Sequence, residues 1–312
     1  MHSLPGRHDI TRHTLPNGIT VLVRENMNSP SVVVDASIHA GSIYEGRSHA
    51  GLANFTAAML MCGTSNASFE QIHERIESVG ASLGSSCGVH TGGFSGKALS
   101  EDLDMLLGTA ADVVRNPIFP ADHVERLRGE TLTGLAMRAH NTRAMAAMTF
   151  YEALFGHDHP YGYSNDGYPD TVAAITRLQL KQFQRKHYGP QEMFVVIVGS
   201  VSAQAAIKLV EKHFGDWRNE QQPDRAPVPL KRKLNHGENR RVHIPGKTQT
   251  DIVLGFFGPR RSDTDFQAVR VANSILGVFG MYGRLGQRIR NKHGLAYYSF
   301  SRADGSFGPG TW

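Results

Sequence analysis

Cysteine is scarce in this sequence, with only Cys62 and Cys87 in 312 residues. At most one disulfide is available, and free thiols in a reducing compartment are the expectation. Long hydrophobic runs are missing too: stretches such as Phe194 to Val198 fall far short of the ~20 apolar residues that a membrane-spanning helix needs. The N-terminal Met1-His-Ser-Leu-Pro-Gly-Arg-His-Asp has no apolar segment behind its basic residues, so no secretory signal is read and a cytoplasmic protein is expected. Nor is there a basic stripe interleaved with aromatics. The net charge of +5 is spread along the chain, with short clusters at Lys231-Arg-Lys and Arg240-Arg241, which argues against a nucleic-acid binder.

The remainder is ordinary globular composition, 40% hydrophobic and 20% charged, with enough chain for two domains. Gly18-Ile-Thr-Val-Leu-Val-Arg and Ser31-Val-Val-Val-Asp-Ala-Ser-Ile-His read as strands, followed by helices from about Gly51 and Ser68. Helices are expected near Ser100–Arg115, Ala121–Ala139, Ala144–Phe155 and Thr176–Tyr188, then an apolar strand Met193–Val198 and a helix near Ala203–Phe214. Strands interleaved with helices in this way predict an α+β layer sandwich. The one break in composition, Asn219–Asn239, holds three prolines and many polar residues and reads as a linker ahead of a strand.

Beyond the linker the order begins again. Ala36-Ser-Ile-His-Ala-Gly before a helix with Ala53-Asn54 pairs with Leu254-Gly-Phe-Phe-Gly before a helix with Ala272-Asn273. Arg75-Ile76 followed by Gly80 pairs with Arg288-Ile289 followed by Gly294. These matches predict a tandem duplication, with a first half at 1–218, a linker at 219–239 and the start of a second half at 240–312. The second half is expected to be truncated, since it stops inside its first sheet at Phe307-Gly-Pro-Gly-Thr-Trp312.

Three segments, His13-Thr-Leu-Pro-Asn-Gly-Ile-Thr-Val-Leu-Val, Gly41-Ser-Ile-Tyr-Glu and Gly51-Leu-Ala-Asn-Phe-Thr-Ala-Ala-Met-Leu-Met-Cys-Gly-Thr64, together resemble the opening of the pitrilysin/insulinase family of zinc metallopeptidases. The likeness continues through His159-Pro-Tyr-Gly162, His187-Tyr-Gly-Pro190, Val195-Val-Ile-Val-Gly199 and Glu211-Lys-His-Phe-Gly215. It implies the duplicated α/β sandwich of the mitochondrial processing peptidase type. Active members carry His-x-x-Glu-His on the early helix. Its histidines, at i and i+4, chelate zinc from one face, and the Glu activates the bound water. By the same resemblance those positions are Asn54, Ala57 and Ala58 here, and the third ligand position, a Glu in the family, falls at Gly134 beside the matching Met137 and Asn141. A methyl group gives a metal no lone pair, glycine brings no side chain, and an amide is a feeble zinc ligand beside imidazole. Leu52, Phe55, Met59 and Leu60 nonetheless keep an apolar face, so the helix is expected to survive without its zinc.

No other metal site is read in its place. His73-Glu-Arg-Ile-Glu77 lies on a helix of alternating charge and reads as a solvated face, while His157-Asp-His159 precedes a Pro-Tyr-Gly turn and lacks a third ligand. Gly84-Ser-Ser-Cys-Gly88 and Gly93-Phe-Ser-Gly-Lys are Gly/Ser-rich strand edges and turns, not the elbow of a serine nucleophile.

Gly283-Arg-Leu-Gly-Gln-Arg-Ile-Arg-Asn-Lys-His-Gly-Leu-Ala-Tyr297 resembles the family's second-half signature, in which an Arg and a Tyr seven residues later serve the other half's zinc site. Arg290 and Tyr297 match. A guanidinium and a phenol can donate hydrogen bonds to substrate carbonyls and a developing oxyanion. The plainer reading makes Arg290 a helix-end cation near Gly294 and Tyr297 a strand residue half in the core. The resemblance implies a degenerate subunit of a two-subunit peptidase that binds no cofactor itself. Its zinc-bearing paralogous partner would hydrolyse peptides or unfolded polypeptides, with Arg290, Tyr297 and part of the chamber wall coming from this chain. The alternative is a structural or recognition member of the family without proteolysis.

Overall fold

The computed structural model describes residues 6–230, 233–234, 236–278 and 282–312; residues 1–5 of the N-terminal reading and Lys231 and Arg232 of the basic cluster lie outside them. The chain divides into two compact units, Met1–Met137 with Tyr163–Ala226, and Arg138–Gly162 with Pro227–Trp312.

In chain order the elements are β1 (Thr11–Thr14), β2 (Thr20–Glu25), β3 (Ser31–Ile38), α1 (Leu52–Met59), α2 (Phe69–Glu77), β4 (Ser82–Cys87), β5 (Gly92–Leu99), α3 (Leu103–Arg115) and α4 (Ala121–Ala139). There follow α5 (Thr142–Phe155), α6 (Pro169–Ala174), α7 (Arg177–His187), β6 (Phe194–Gly199), α8 (Ala203–Phe214), β7 (Phe257–Gly258), α9 (Phe266–Asn273) and β8 (Gly310–Thr311). All but α5, α9, β7, β8 and the last two residues of α4 lie in the first unit, where six strands form one sheet in the order β1-β2-β6-β3-β5-β4. β2 and β6 run parallel, and the other neighbours are antiparallel.

Alternation along β3 explains which face is covered. Val32, Val34, Ala36 and Ile38 are buried, whereas Val33 and Asp35 between them are exposed, so one face packs under helices. The apolar run of β6 belongs in the middle of the sheet, where Val195 and Ile197 are fully buried. Helices α3 and α8 close over the sheet, with Phe94 of β5 stacked on Phe214 of α8 at 5.9 Å between ring centroids. Their polar faces are joined by Asp104, which accepts from Lys212 Nζ at 2.8 Å and meets His213 Nε2 at 2.6 Å.

The start of α1 is fixed by a close backbone approach. Gly51 sits at φ 99 and Gly167 at φ 78, both in the left-handed region that glycine enters without penalty. A Cβ on Gly51 would meet the Gly167 backbone at 3.1 Å, and a Cβ on Gly167 would lie 2.4 Å from the Ala50 carbonyl oxygen. Two segments far apart in sequence touch there, backbone to backbone.

In the second unit, β7 and β8 form a two-residue antiparallel pair, Phe257 opposite Thr311 and Gly258 opposite Gly310. Phe155 at the end of α5 packs edge-on to Phe257 at 5.3 Å and to Tyr161 at 5.2 Å. His159, beside them, is buried and accepts the Tyr161 backbone N–H at Nδ1 (3.0 Å), and burial lowers its pKa. The His157–His159 segment is thus a turn. The strand expected after the linker is the short β7: between α8 and β7 the described residues form no regular element, and Ile252 and Leu254 are exposed. A strand persists only where a neighbour takes its backbone hydrogen bonds, and here the neighbour reaches only the end of the segment, where Phe256 and Trp312 exchange N–H to carbonyl bonds at 2.7 and 2.9 Å.

Gly80 after α2 and Gly294 after the helical segment Gly286–Lys292 have φ 64 and φ 61. Each follows its helix with a left-handed residue, which glycine adopts without penalty.

Replacing Gly167 with alanine forces both a positive φ and a backbone clash. Gly167→Ala is expected to lower the unfolding free energy by at least about 2 kcal/mol, checked by urea titration.

Candidate functional site

Helix α1 is built from its N-terminus. The Glu45 carboxylate accepts the Gly51 N–H at 2.9 Å and the Ala53 N–H at 2.7 Å, which satisfies donors that the helix cannot use itself. Glu45 is buried, and burial pushes its pKa up to about 8 while the backbone donors of Ala53, Gly51 and Leu52 pull the other way. Tyr163 donates its hydroxyl to the Glu45 carbonyl at 2.7 Å and so ties the same turn to a distant loop. Leu52, Phe55 and Met59 are buried and hold the helix to the core, as their spacing predicts.

The four positions that the resemblance aligns with metal ligands and base, Asn54, Ala57, Ala58 and Gly134, fall on α1 and α4. Asn54 and Ala58 share one face of α1, Asn54 half-buried and Ala58 exposed. Asn54 Nδ2 donates to Asp166 Oδ1 at 3.0 Å, so its amide is already engaged with a carboxylate. Ala57 is 1% exposed and turns inward, and its carbonyl oxygen accepts from Ser85 Oγ of β4 at 2.6 Å. Gly134 is exposed on α4, and a Cβ there would meet nothing within 4 Å. The two helices approach through Arg128 of α4, whose guanidinium carbon lies 5.9 Å from the Phe55 ring centroid. No His, Cys, Asp or Glu stands at any of the four positions, and no group of three such residues elsewhere could hold a metal among the described residues. The donor set here does not fit zinc.

Arg290 and Tyr297, seven residues apart, are brought together by a tight reversal. Gly294 N–H bonds to the Arg290 carbonyl and Leu295 N–H to the Ile289 carbonyl, both at 3.0 Å, the paired pattern that a left-handed residue allows at a helix end. The Arg290 guanidinium carbon then lies 4.9 Å from the Tyr297 ring centroid. Tyr297 is 83% exposed and outside any strand, unlike the half-buried strand residue of the plainer reading. Arg290, in the last turn of its helical segment, does have the helix-end position that reading gives it.

Sequence reasoning passed over Glu45 and Asp166. Glu45 closes the Gly41-Ser-Ile-Tyr-Glu motif and lies six residues before Gly51, but only burial reveals its capping role. Asp166 has no local signal, because its partner is 112 residues away. His73 and Glu77 lie 3.5 Å apart along α2; Glu77 is exposed, as expected of that face, whereas His73 is half-buried against the Phe69 ring at 4.2 Å between centroids. Cys62 and Cys87 are free thiols, both raised in pKa by burial.

The fold and the motifs agree with comparisons to known proteins. Residues 20–161 match the family described as insulinase (peptidase family M16), and residues 174–312 match the description peptidase M16 inactive domain. An uncharacterized zinc protease of Mycobacterium leprae is 32% identical over 295 residues, covering 95% of this chain and 66% of that protein. One of Streptomyces coelicolor is 28% identical over 310 residues, covering 97% of this chain and 67% of that protein. The chain therefore spans about two thirds of these relatives. Among solved structures, a peptidase M16 inactive domain from Pseudomonas fluorescens superposes with a TM-score of 0.79 at 24% identity, covering 97% of this chain and 72% of that one. A protease from Helicobacter pylori superposes with a TM-score of 0.84 at 21% identity, covering 97% and 73%. The fold is that of the M16 metallopeptidases, a mixed α/β architecture. The chain belongs to the M16, or pitrilysin/insulinase, family. Among the described residues no helix is long and apolar enough to cross a membrane.

Restoring ligand chemistry at Asn54, Ala58 and Gly134 tests the geometry directly. The triple variant Asn54→His, Ala58→His, Gly134→Glu is expected to retain about one zinc per chain after dialysis, and the unaltered chain none, by elemental analysis. Omitting Gly134→Glu should leave binding weak, because two imidazoles are one ligand short of a stable site.

Proposed function

We propose that this chain is a catalytically degenerate subunit of a two-subunit zinc metallopeptidase, supplying substrate-binding groups and part of the chamber wall to a zinc-bearing paralogous partner. One asymmetry carries the reading. The four positions that would serve a metal offer no fitting donor, whereas Arg290 and Tyr297 keep their chemistry, stack on one another and leave the phenol open to solvent. A protein drifting away from proteolysis has no reason to lose one set and keep the other. The substrates would be peptides or unfolded polypeptides, and the compartment the cytoplasm.

In this scheme the hydrolytic water is activated in the partner, where zinc supplies the Lewis acid. Arg290 contributes a fixed cation with several N–H donors for substrate carbonyls, and Tyr297 a single O–H donor for the oxygen that becomes negative as the carbonyl is attacked. Neither group gains or loses a proton in these roles. The halves at 1–218 and 240–312, joined by a linker at 219–239, are part of the same proposal, since each pairs one site's worth of residues with a similar order of elements.

The test is coexpression with a relative that carries an intact His-x-x-Glu-His motif, followed by peptide cleavage. Arg290→Ala or Tyr297→Phe should each lower turnover of the complex by about 10²–10³, the loss seen when one oxyanion donor is removed. Melting temperature should not move with Tyr297→Phe, which keeps the ring and deletes one hydroxyl. Full turnover in both variants would favour the family's structural or recognition class instead.

A further inference from the structure

We infer that Arg143 and Asp251 are positioning residues that hold the Arg290–Tyr297 pair in its working geometry, an inference resting on the substrate-binding role proposed for that pair. Tyr297 itself is held loosely, being 83% exposed with Arg290 stacked on its ring. Its neighbours are held by α5. Tyr298 donates its hydroxyl to Asp251 Oδ1 at 3.2 Å, and Asp251 Oδ2 accepts from Thr142 Oγ1 in the first turn of α5. One carboxylate thus bridges the start of the helix to the residue next to Tyr297.

Arg143, the following residue of α5, lies over the same segment. Its guanidinium carbon is 5.2 Å from the Tyr298 ring centroid and 5.1 Å from that of Phe300, and the two rings are 6.2 Å apart at 33°. Consecutive tyrosines therefore each carry a guanidinium, Arg290 on Tyr297 and Arg143 on Tyr298. The placement of Arg143 is not explained by helix stability. Asn141 caps α5 by accepting the Ala144 N–H at 3.0 Å, and a cation just inside that end faces the positive end of the helix dipole. A cation kept where the helix disfavours it is compensated elsewhere, and the two ring faces are what it touches. With Tyr298 and Phe300 clamped, the backbone that carries Tyr297 is restrained on one side, which narrows the directions its exposed phenol can take. Loss of the clamp would leave the pair chemically intact but spread over more orientations.

The test uses fluorescein-labelled β-casein, an unfolded polypeptide, titrated with the full chain and read by fluorescence anisotropy. Arg143→Ala should weaken binding by about 2–5-fold, in line with exposed cation–π contacts that act only indirectly on the pair, and Arg143→Lys should restore most of it. Tyr298→Phe, which keeps the ring and breaks the bond to Asp251, should weaken binding by a similar factor without changing the melting temperature, and so serves if Arg143→Ala does not fold. Because the clamp acts through the pair, Arg143→Ala added to Arg290→Ala/Tyr297→Ala should cost nothing more. Binding weakened by the pair variant but untouched by Arg143→Ala and Tyr298→Phe overturns the positioning role alone. A full additional loss in the combined variant does the same. No binding by the unaltered chain, or no effect of the pair variant, overturns the reading of the pair and this inference with it.

Discussion

A buried carboxylate at the start of a short helix is the contact on which the candidate site depends. The first backbone N–H groups of any helix lack partners within it, and at α1 Glu45 supplies them at 2.7 and 2.9 Å. Leaving them unmet in a buried place would cost roughly 1–3 kcal/mol each, enough to displace a helix of only eight residues. The contact owes nothing to a metal. That is why α1 keeps its position, its inward face of Leu52, Phe55 and Met59 and its outward face of Asn54 and Ala58, without a metal-ligating side chain on the outward face. The backbone contact between Gly51 and Gly167 reinforces the same point, and Asp166 beside it has become a hydrogen-bond partner for Asn54.

The first unit was largely legible because its strongest signals are local. The apolar run at β6, the alternation of β3 and the amphipathic pattern of α3 and α8 each reveal an element within one short window. Strands β4 and β5 were harder to read, since glycine and serine carry little strand propensity, and they are held instead by pairing with each other and with β3. The strand expected after the linker is limited for the converse reason: it is ordered as β7 only where β8 pairs with it.

The candidate site was legible in kind but not in its supports. Spacing on a helix is enough to put Asn54 and Ala58 on one face, and the match to a family motif is enough to single out Gly134, Arg290 and Tyr297. What holds these residues comes from far along the chain, as with Asp166 against Asn54, Asp251 against Tyr298 and Arg143 over Phe300. Such partners carry no periodic or motif signal. The reversal at Gly294 is an intermediate case, since a glycine at the end of a helical pattern suggests the left-handed turn, while the stacking of Arg290 on Tyr297 that follows from it needs the folded chain.

Buried contacts and a capping carboxylate are enough to hold α1, and its proposed role is that of a scaffold without metal. The most direct measurement is a zinc-edge anomalous difference map from crystals of the chain grown with excess zinc. The account predicts no peak beside Asn54, Ala58 and Gly134. A strong peak bounded by those three positions would contradict it.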